Sequence, residues 1–529
     1  MKLVIDSIQA SFLTLLLLAV ATWRLLRRRR TNNSAAGAHP NLPPGPWKLP
    51  IISSMHQLLH PLPHRRLRDL AAVHGPLMHL QLGEVGKLVV SSPEAARHVV
   101  KTHDVNFANR PSLLAFKVMC HNSTDVAFAP YGEYWRQLRR ICTLELLSSK
   151  QVGSYRPIRE QENAEMVRSI TSQAHGPSPV INLSRTIKSL TNTVTARAAF
   201  GEKLRRDEME EFLDVARQSL EASGGFSLPD LFPSATWPHL LSGLEARLLR
   251  IRRKLDRIVD KIIANHRARR SIRNREAEEG GRHDDHRHQQ QDLVDVLLTA
   301  QEEGLIDFPY ADDSLKAVIM DIFTAGTDTS SGIVEWVMSE LLRNRGALKK
   351  AQTEVRRVFG KTGSVKEECL GELKYLKLVI KEVMRLRPPV PLLLPRQNLE
   401  HCKIDGYDIP CNTKVIINAW AMGRDPEYWT DPDRFVPERF LDSVVDYYGK
   451  NLEFIPFGAG RRMCPGIAYG MASVELPLAN LLYHFDWKSG DGKSLENLDM
   501  SERLGATLKR KHDLCLIPIP YKSDNPMNE

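Results

Sequence analysis

Ten residues, Phe457-Gly458-Ala459-Gly460-Arg461-Arg462-Met463-Cys464-Pro465-Gly466, stand immediately before an apolar helical run from Ile467 to Leu482. Glycines at this density let a loop approach a flat cofactor closely, because no Cβ holds the backbone away. Cys464 falls where the helix is expected to begin, with Pro465 suited to the first helical position, where a missing N–H costs nothing. A helix N-terminus and exposed backbone N–H groups favour thiolate over thiol. A thiolate in that setting is a natural axial ligand for haem iron, pushing electron density onto the metal and favouring O–O cleavage.

The remainder of the chain must house that loop, and its composition allows a large core. It has 529 residues, 42% apolar and 26% charged, which is ordinary globular chemistry and neither disordered nor fibrous. The net charge of +10 suggests anionic surfaces as neighbours. Aromatics do not alternate with the basic clusters, so no nucleic acid is expected as a partner. Cysteines at 120, 142, 369, 402, 411, 464 and 515 make an odd number with no C-x-x-C pair. A disulfide scaffold or zinc site is therefore not expected, and single thiols fit a reducing compartment.

From Ile8 to Leu26 the chain is mostly Leu, Ala, Val and Phe, about long enough for a helix across a bilayer. Arg27 to Arg30 follow it, with only Lys2 on the other flank, so the body is expected on the cytosolic side. A cleaved signal peptide would need the opposite charge bias and a cleavage site where the arginines stand. Residues 1–30 thus read as a single-pass anchor in membrane lipid and 31–50 as a linker ending in the proline-rich hinge Pro43-Pro44-Gly45-Pro46-Trp47, stiff and extended. Residues 51–529 read as one catalytic body. Two strand-like runs, Leu77 to Leu82 and Lys87 to Val90, carry a hairpin signal at Gly83 and Gly86. Helical periodicity dominates from Pro93 almost to Lys377. The charged stretch from Ser271 to Gln291, with His283, His286 and His288, reads as a solvated loop.

Two further patterns sit on helices. Glu382 and Arg385 are three apart and share a helix face. Ala325-Gly326-Thr327-Asp328-Thr329-Ser330 lies inside an apolar stretch from Leu315 to Leu342, where a mid-helix glycine costs about 1 kcal/mol relative to alanine. A site that keeps it needs backbone room or a local opening.

With these residues in view, the sequence resembles the cytochrome P450 superfamily. Its haem-ligand signature F-x-x-G-x-R-x-C-x-G is matched by Phe457, Gly460, Arg462, Cys464 and Gly466. The resemblance implies a mostly helical fold with small β-sheets behind an N-terminal transmembrane helix, and haem b with the Cys464 thiolate as axial ligand. It implies that Arg439, in Pro437-Glu438-Arg439-Phe440, completes a buried charge cluster with Glu382 and Arg385. It places a dioxygen groove beside Ala325 and Gly326, with Asp328 and Thr329 relaying protons through water. Trp135, Arg139, Arg396 and Arg462 become the clamp on the haem propionates.

The stretches Pro44 to Pro50, Phe128 to Gly132, Trp420 to Asp425 and Pro456 to Arg462 resemble the plant A-type microsomal branch of specialised metabolism. Ser53, Arg387, Gln397 and Arg345-Gly346 depart from that branch's usual residues. The implied activity is a monooxygenase acting on an apolar small molecule, with a terpenoid as the expected substrate. The partner implied is NADPH-cytochrome P450 reductase, with cytochrome b5 as a second donor, and the location is the endoplasmic reticulum membrane. Arg136 and Arg140 would suit an acidic reductase surface. Expected pocket residues are Ser112, Phe116, Asp321, Val390, Leu394 and Thr507, a largely apolar set that orients its ligand by few polar contacts. The alternatives are a phenylpropanoid, alkaloid or indole-derived substrate, or a redox-neutral haem-thiolate isomerase or dehydratase. A scaffold without catalysis would leave Asp328, Thr329 and the ligand loop unexplained.

Overall fold

The computed structural model describes residues 40–201, 206–222, 227–278, 291–305 and 312–521. The anchor expected at 1–30 and the histidines at 283, 286 and 288 lie outside them. No described helix is long and apolar enough to cross a membrane.

The expected hairpin forms. Strand β1 (Leu77–Leu82) pairs antiparallel with β2 (Val85–Val90), Leu82 opposite Val85, and Gly83 turns between them at φ 58°, a conformation glycine adopts without strain. β3 (Arg396–Gln397) and β4 (Lys414–Ile417) complete a four-stranded sheet of order β1-β2-β4-β3, with β2 and β4 parallel. The proline hinge is stitched to this sheet: the Pro44 carbonyl accepts the His79 N–H at 2.8 Å. A Cβ on Gly45 would stand 1.9 Å from the His79 carbonyl oxygen, so only glycine permits that approach. Near the C-terminus, β5 (Glu502–Leu504) and β6 (Leu508–Arg510) form a separate hairpin.

Helices build the rest. Those that position the site are α1 (Glu133–Ile141), α2 (Leu183–Phe200), α3 (Leu244–Glu278), α4 (Leu293–Glu302), α5 (Asp312–Arg343), α6 (Lys374–Leu386) and α7 (Ile467–His484). α5 packs against α2, α6 and α7 and is buried along most of its length, polar residues such as Asp328 and Glu340 included. Trp336, Val337, Leu341, Ile380, Val383, Leu478 and Leu482 join these helices in one buried cluster. Asp312 and Asp313 open α5, where negative charge opposes the helix dipole favourably.

Two boundaries differ from the sequence reading. α3 continues to Glu278 through the first part of the stretch expected as loop. Arg, Ala and Glu there are good helix formers, and nothing breaks the helix. Before that extension Arg270 reaches back to the Asp295 carbonyl at 2.8 Å and to Glu302 at 2.6 Å. α7 begins at Ile467 with Gly466 as its cap, so Pro465 does not occupy the first helical position. The Pro465-Gly466 pair instead turns back on the cysteine.

His266 on α3 is buried and meets Asp292, which caps α4, at 2.9 Å. Its other ring nitrogen lies 2.8 Å from the Ile262 carbonyl. Burial would lower the His266 pKa, but the Asp292 hydrogen bond and charge outweigh it and raise the value above the ordinary one. A raised folded value means the pair stabilises the fold fully below the unfolded histidine pKa, about 6.5, and loses that contribution as pH rises through the folded value. His266→Gln should therefore cost roughly 1–3 kcal/mol at pH 5.5 and clearly less at pH 9, read from urea midpoints. Equal losses at both pH values would show that no charged pair is involved.

Candidate active site

The cysteine loop is held by its own backbone. The Cys464 N–H donates to the Phe457 carbonyl at 2.9 Å, and the Met463 N–H to Gly460 at 3.0 Å. Gly460 sits at φ 70°, and a Cβ there would come within 2.6 Å of Asp104 and of the Val100 carbonyl oxygen. The Gly466 N–H points at the Cys464 sulfur, 3.4 Å away. Cys464 is accessible although protein surrounds it, so the thiol faces space inside the fold. Burial pushes its pKa up, and the Gly466 N–H and Arg139 pull the other way. The helix-terminus expectation is corrected here: α7 starts three residues later, and the chain by itself favours the thiol. A bound cation would supply the charge that deprotonates it.

Cations gather beside this loop. Arg462 donates to the carbonyls of Ala108 at 2.7 Å and Ala129 at 2.5 Å. Its guanidinium stacks on Trp135 at 4.0 Å, whose own N–H is committed to the Val126 carbonyl at 3.0 Å. Arg396 donates to Ala459 at 2.6 Å and faces Asp104 at 3.6 Å. Arg110, which the sequence gave no reason to choose, donates to Ala127, Leu394 and Pro395 at 2.7–2.8 Å. Burial and mutual repulsion depress Arg110 and Arg462, and burial depresses Arg396. Arg139 on α1 is half-buried and feels the Cys464 charge. Against them stands Asp125, itself raised well above the carboxylate range by burial and by Asp321. Buried guanidiniums in such excess call for an anion. A flat group carrying two carboxylates, seated over a cysteine sulfur, fits both features, as haem b does.

The α5 face turned toward this region carries Asp321, Ala325 and Thr329, at the four-residue spacing of one helix face. The Thr329 hydroxyl donates to the Ala325 carbonyl at 2.7 Å, leaving its oxygen lone pairs to accept. Gly326 sits against neighbouring side chains: a Cβ there would lie 3.2 Å from Tyr469 and 3.5 Å from Thr195. Asp328 is buried and turned to the β5–β6 hairpin, accepting from Thr507 at 2.5 Å and pairing with Lys509. Asp328 and Thr329 are thus neighbours in sequence whose side chains bond to different partners.

Behind the loop, Glu382 and Arg385 on α6 form a two-point pair at 2.8 Å. Arg439 donates to the same carboxylate at 3.0 Å and the Val436 N–H at 2.8 Å. Arg385 also donates to the carbonyls of Gly423 and Pro432, so the cluster ties the segment 423–439 to α6.

One cavity is lined by Phe116, Phe128, Val390, Leu392, Leu393 and Leu394 together with Leu504, Gly505 and Ala506. Of the expected pocket residues it brings together Phe116, Val390 and Leu394. Ser112 is exposed, its neighbours Pro111 and Leu113 lining the cavity instead. Asp321 accepts the Ala127 N–H at 2.9 Å, with its carboxyl raised by burial to about 6. Thr507 is turned to Asp328. Lys87 and Lys414 also line this cavity, and no sequence signal marks them, since they lie on different strands of the sheet.

Of the departures, Arg387 pairs with Glu340 at 3.3 Å and with Glu502, over the face of Trp336. Gln397 bonds to Asn412 at 2.8 Å. Ser53 takes φ 51° and donates its hydroxyl to the Gly83 carbonyl at 3.2 Å, so the hinge end closes without glycine.

The family model for cytochrome P450 matches residues 43–516. Premnaspirodiene oxygenase of Hyoscyamus muticus is 47% identical, over 94% of this chain and 96% of its own. Salviol synthase of Salvia pomifera is 48% identical over 91% and 92%. Desmethyl-deoxy-podophyllotoxin synthase of Sinopodophyllum hexandrum is 48% identical over 95% of each. A zebra fish cytochrome P450 solved with abiraterone superposes with a TM-score of 0.70 at 24% identity, covering 87% of this chain and all of that one, a likeness of fold.

Proposed function

Because the chain belongs to the cytochrome P450 family, whose members bind haem b through a cysteine thiolate and act as monooxygenases, we propose that it oxygenates a terpenoid, taking electrons from NADPH-cytochrome P450 reductase. It would do so from the cytosolic face of the endoplasmic reticulum membrane, tethered by residues 8–26. The observation that carries the reading is the accessible Cys464 sulfur in a loop flanked by Arg139, Arg396, Arg462 and Arg110, with Asp321 of α5 close enough for its charge to reach the sulfur. The terpenoid assignment draws support from premnaspirodiene oxygenase and salviol synthase. Identity does not rank these above the podophyllotoxin-type synthase, since all lie at 47–48%. The apolar walls of the cavity favour the hydrocarbon-rich substrate.

When bound, haem b supplies thiolate-ligated iron, at which dioxygen is reduced and split. Cys464 would hold the iron, and Arg139, Arg396 and Arg462, joined by Arg110, would hold the carboxylates. Trp135 supports Arg462 from its face and donates its own N–H elsewhere. The Gly466 N–H donates to the sulfur and moderates its charge. Thr329, with its proton on the Ala325 carbonyl, can accept a hydrogen bond from water. Asp328 joins such a path only by exchanging its bonds to Thr507 and Lys509 for water. Proton delivery would therefore run through the Thr329 hydroxyl, with Asp328 as the replenishing group.

The test measures product, NADPH and peroxide together, with reductase and a panel of terpene olefins, in the wild type and Thr329→Ala. The substitution should keep the reduced carbon-monoxide spectrum while product per NADPH falls several-fold, toward the ~10²-fold loss of a positioned proton donor, and peroxide rises. Turnover without NADPH or dioxygen would show a redox-neutral enzyme instead. A fully coupled variant would place the proton path elsewhere.

A further inference from the structure

The helical turn Gly460–Arg462 stands just before Cys464 and has no side-chain cap of its own. The first N–H groups of such a turn find no partner inside it. The Arg461 N–H is taken instead by a carboxylate 357 positions earlier in the chain, at 3.2 and 3.1 Å from the two oxygens of Asp104. Gly460 lets that carboxylate in, since a Cβ there would stand 2.6 Å from it. The turn then hands its position to the ligand residue: the Met463 N–H donates to the Gly460 carbonyl at 3.0 Å, and Cys464 is next.

Asp104 also meets two guanidinium groups. Its Oδ1 lies 3.6 Å from Arg396, and its Oδ2 lies 3.5 Å from the exposed Arg461 side chain. Burial lowers the Arg396 pKa to about 10, and the Asp104 charge works against that. Arg396 in turn donates to the Ala459 carbonyl at 2.6 Å. The contacts close a circuit: Asp104 holds the Arg461 N–H, Arg396 holds the Ala459 carbonyl, and the ion pair joins the two holders. The same stretch of chain gives the Ala108 carbonyl to Arg462 at 2.7 Å. Asp104 is mostly buried, its side chain 17% exposed, so little water competes for it. A hydrogen bond to a carboxylate is about twice as strong as a neutral one.

We propose that Asp104 is a positioning residue for Cys464: its bond to the Arg461 N–H keeps the ligand loop in shape, and its charge balances Arg396. This rests on Cys464 as the haem ligand, as read above, and adds a residue that lies outside the ligand signature and gives the metal no atom. Hydrogen bonding and charge around the ligand are levers on a haem's reduction potential, so the bond and the charge of Asp104 have separable effects. Asparagine separates them, because its carbonyl oxygen can still accept the Arg461 N–H while the charge is gone.

The test compares haem-loaded wild type, Asp104→Asn and Asp104→Ala. Asp104→Asn should keep the reduced carbon-monoxide band of thiolate-ligated haem and shift the reduction potential upward, since losing a negative charge favours the reduced iron. Asp104→Ala should show the same upward shift and put part of its reduced carbon-monoxide complex in the band of haem bound by a neutral thiol. It should also pass haem to apomyoglobin about tenfold faster than wild type, as loss of one charge-assisted hydrogen bond allows. An aspartate that serves stability alone would lower the urea midpoint and leave potential and band as they are. If the alanine chain does not load haem, the potential of the asparagine variant decides. An unchanged potential in Asp104→Asn, or an unchanged band and haem transfer in Asp104→Ala, would overturn the proposal while leaving the Cys464 reading intact. A thiolate band missing from the wild type, or surviving in Cys464→Ala, would refute that reading and this proposal with it.

Discussion

Cys464→Ala should give a folded chain that no longer shows the reduced carbon-monoxide band diagnostic of thiolate-ligated haem, with monooxygenase activity at background. The effect is all-or-none because no second thiol can take over. Cys142 is buried, with its thiol pushed up to about 12 chiefly by burial. Cys120 is held as a thiol by burial and by the charges of Asp125 and Asp321. Cys369 and Cys402 are partly buried, Cys411 and Cys515 are exposed, and none of the four stands in the ligand loop. The fold should survive, since Cys464 belongs to no buried apolar cluster and its backbone bond to Phe457 does not use the side chain. Circular dichroism unchanged beside a vanished band is the expected pair of results. A band that persists in the variant would move the ligand to another residue.

Glu382→Ala should be nearly as damaging, through folding rather than chemistry. Glu382 and Arg385 have no exposed side-chain surface, and Arg439 is nearly as buried. Removing the carboxylate leaves two guanidiniums and the Val436 N–H without their acceptor. Stranding a buried charge costs roughly 3–5 kcal/mol, a large part of the 5–15 kcal/mol by which a typical fold is stable. Yield of haem-loaded protein should fall more than tenfold. The control is Arg434→Ala, which breaks an exposed pair with Asp431 at 3.2 Å. Exposed pairs are worth about 0–1 kcal/mol, so its yield should not change. Comparable yields from the two variants would deny the cluster a structural role.

What the sequence determined by itself was whatever a short contiguous stretch can specify. The ligand loop needs glycines, an arginine and a cysteine within ten residues, because one backbone segment must lie flat, bend at Gly458 and Gly460, and present one sulfur. The β1–β2 hairpin and α5 were legible for the same reason: a local turn at Gly83 and a long, largely apolar helical stretch do not depend on distant partners. Glu382 and Arg385 were legible as one helix face. What surrounds them was decided only in three dimensions. Arg110 joins Arg396 and Arg462 because three separate segments of the chain converge, and nothing near Arg110 in the chain announces it. Asp328 turns to Lys509, 181 residues away, and so parts from its neighbour Thr329. Lys87 and Lys414 meet because β2 and β4 run parallel, and a parallel pairing needs a crossover whose length and register no local pattern encodes. The loop's chemistry is therefore written in consecutive residues, while the pairing of Lys87 with Lys414 beside the cavity exists only once the sheet has closed.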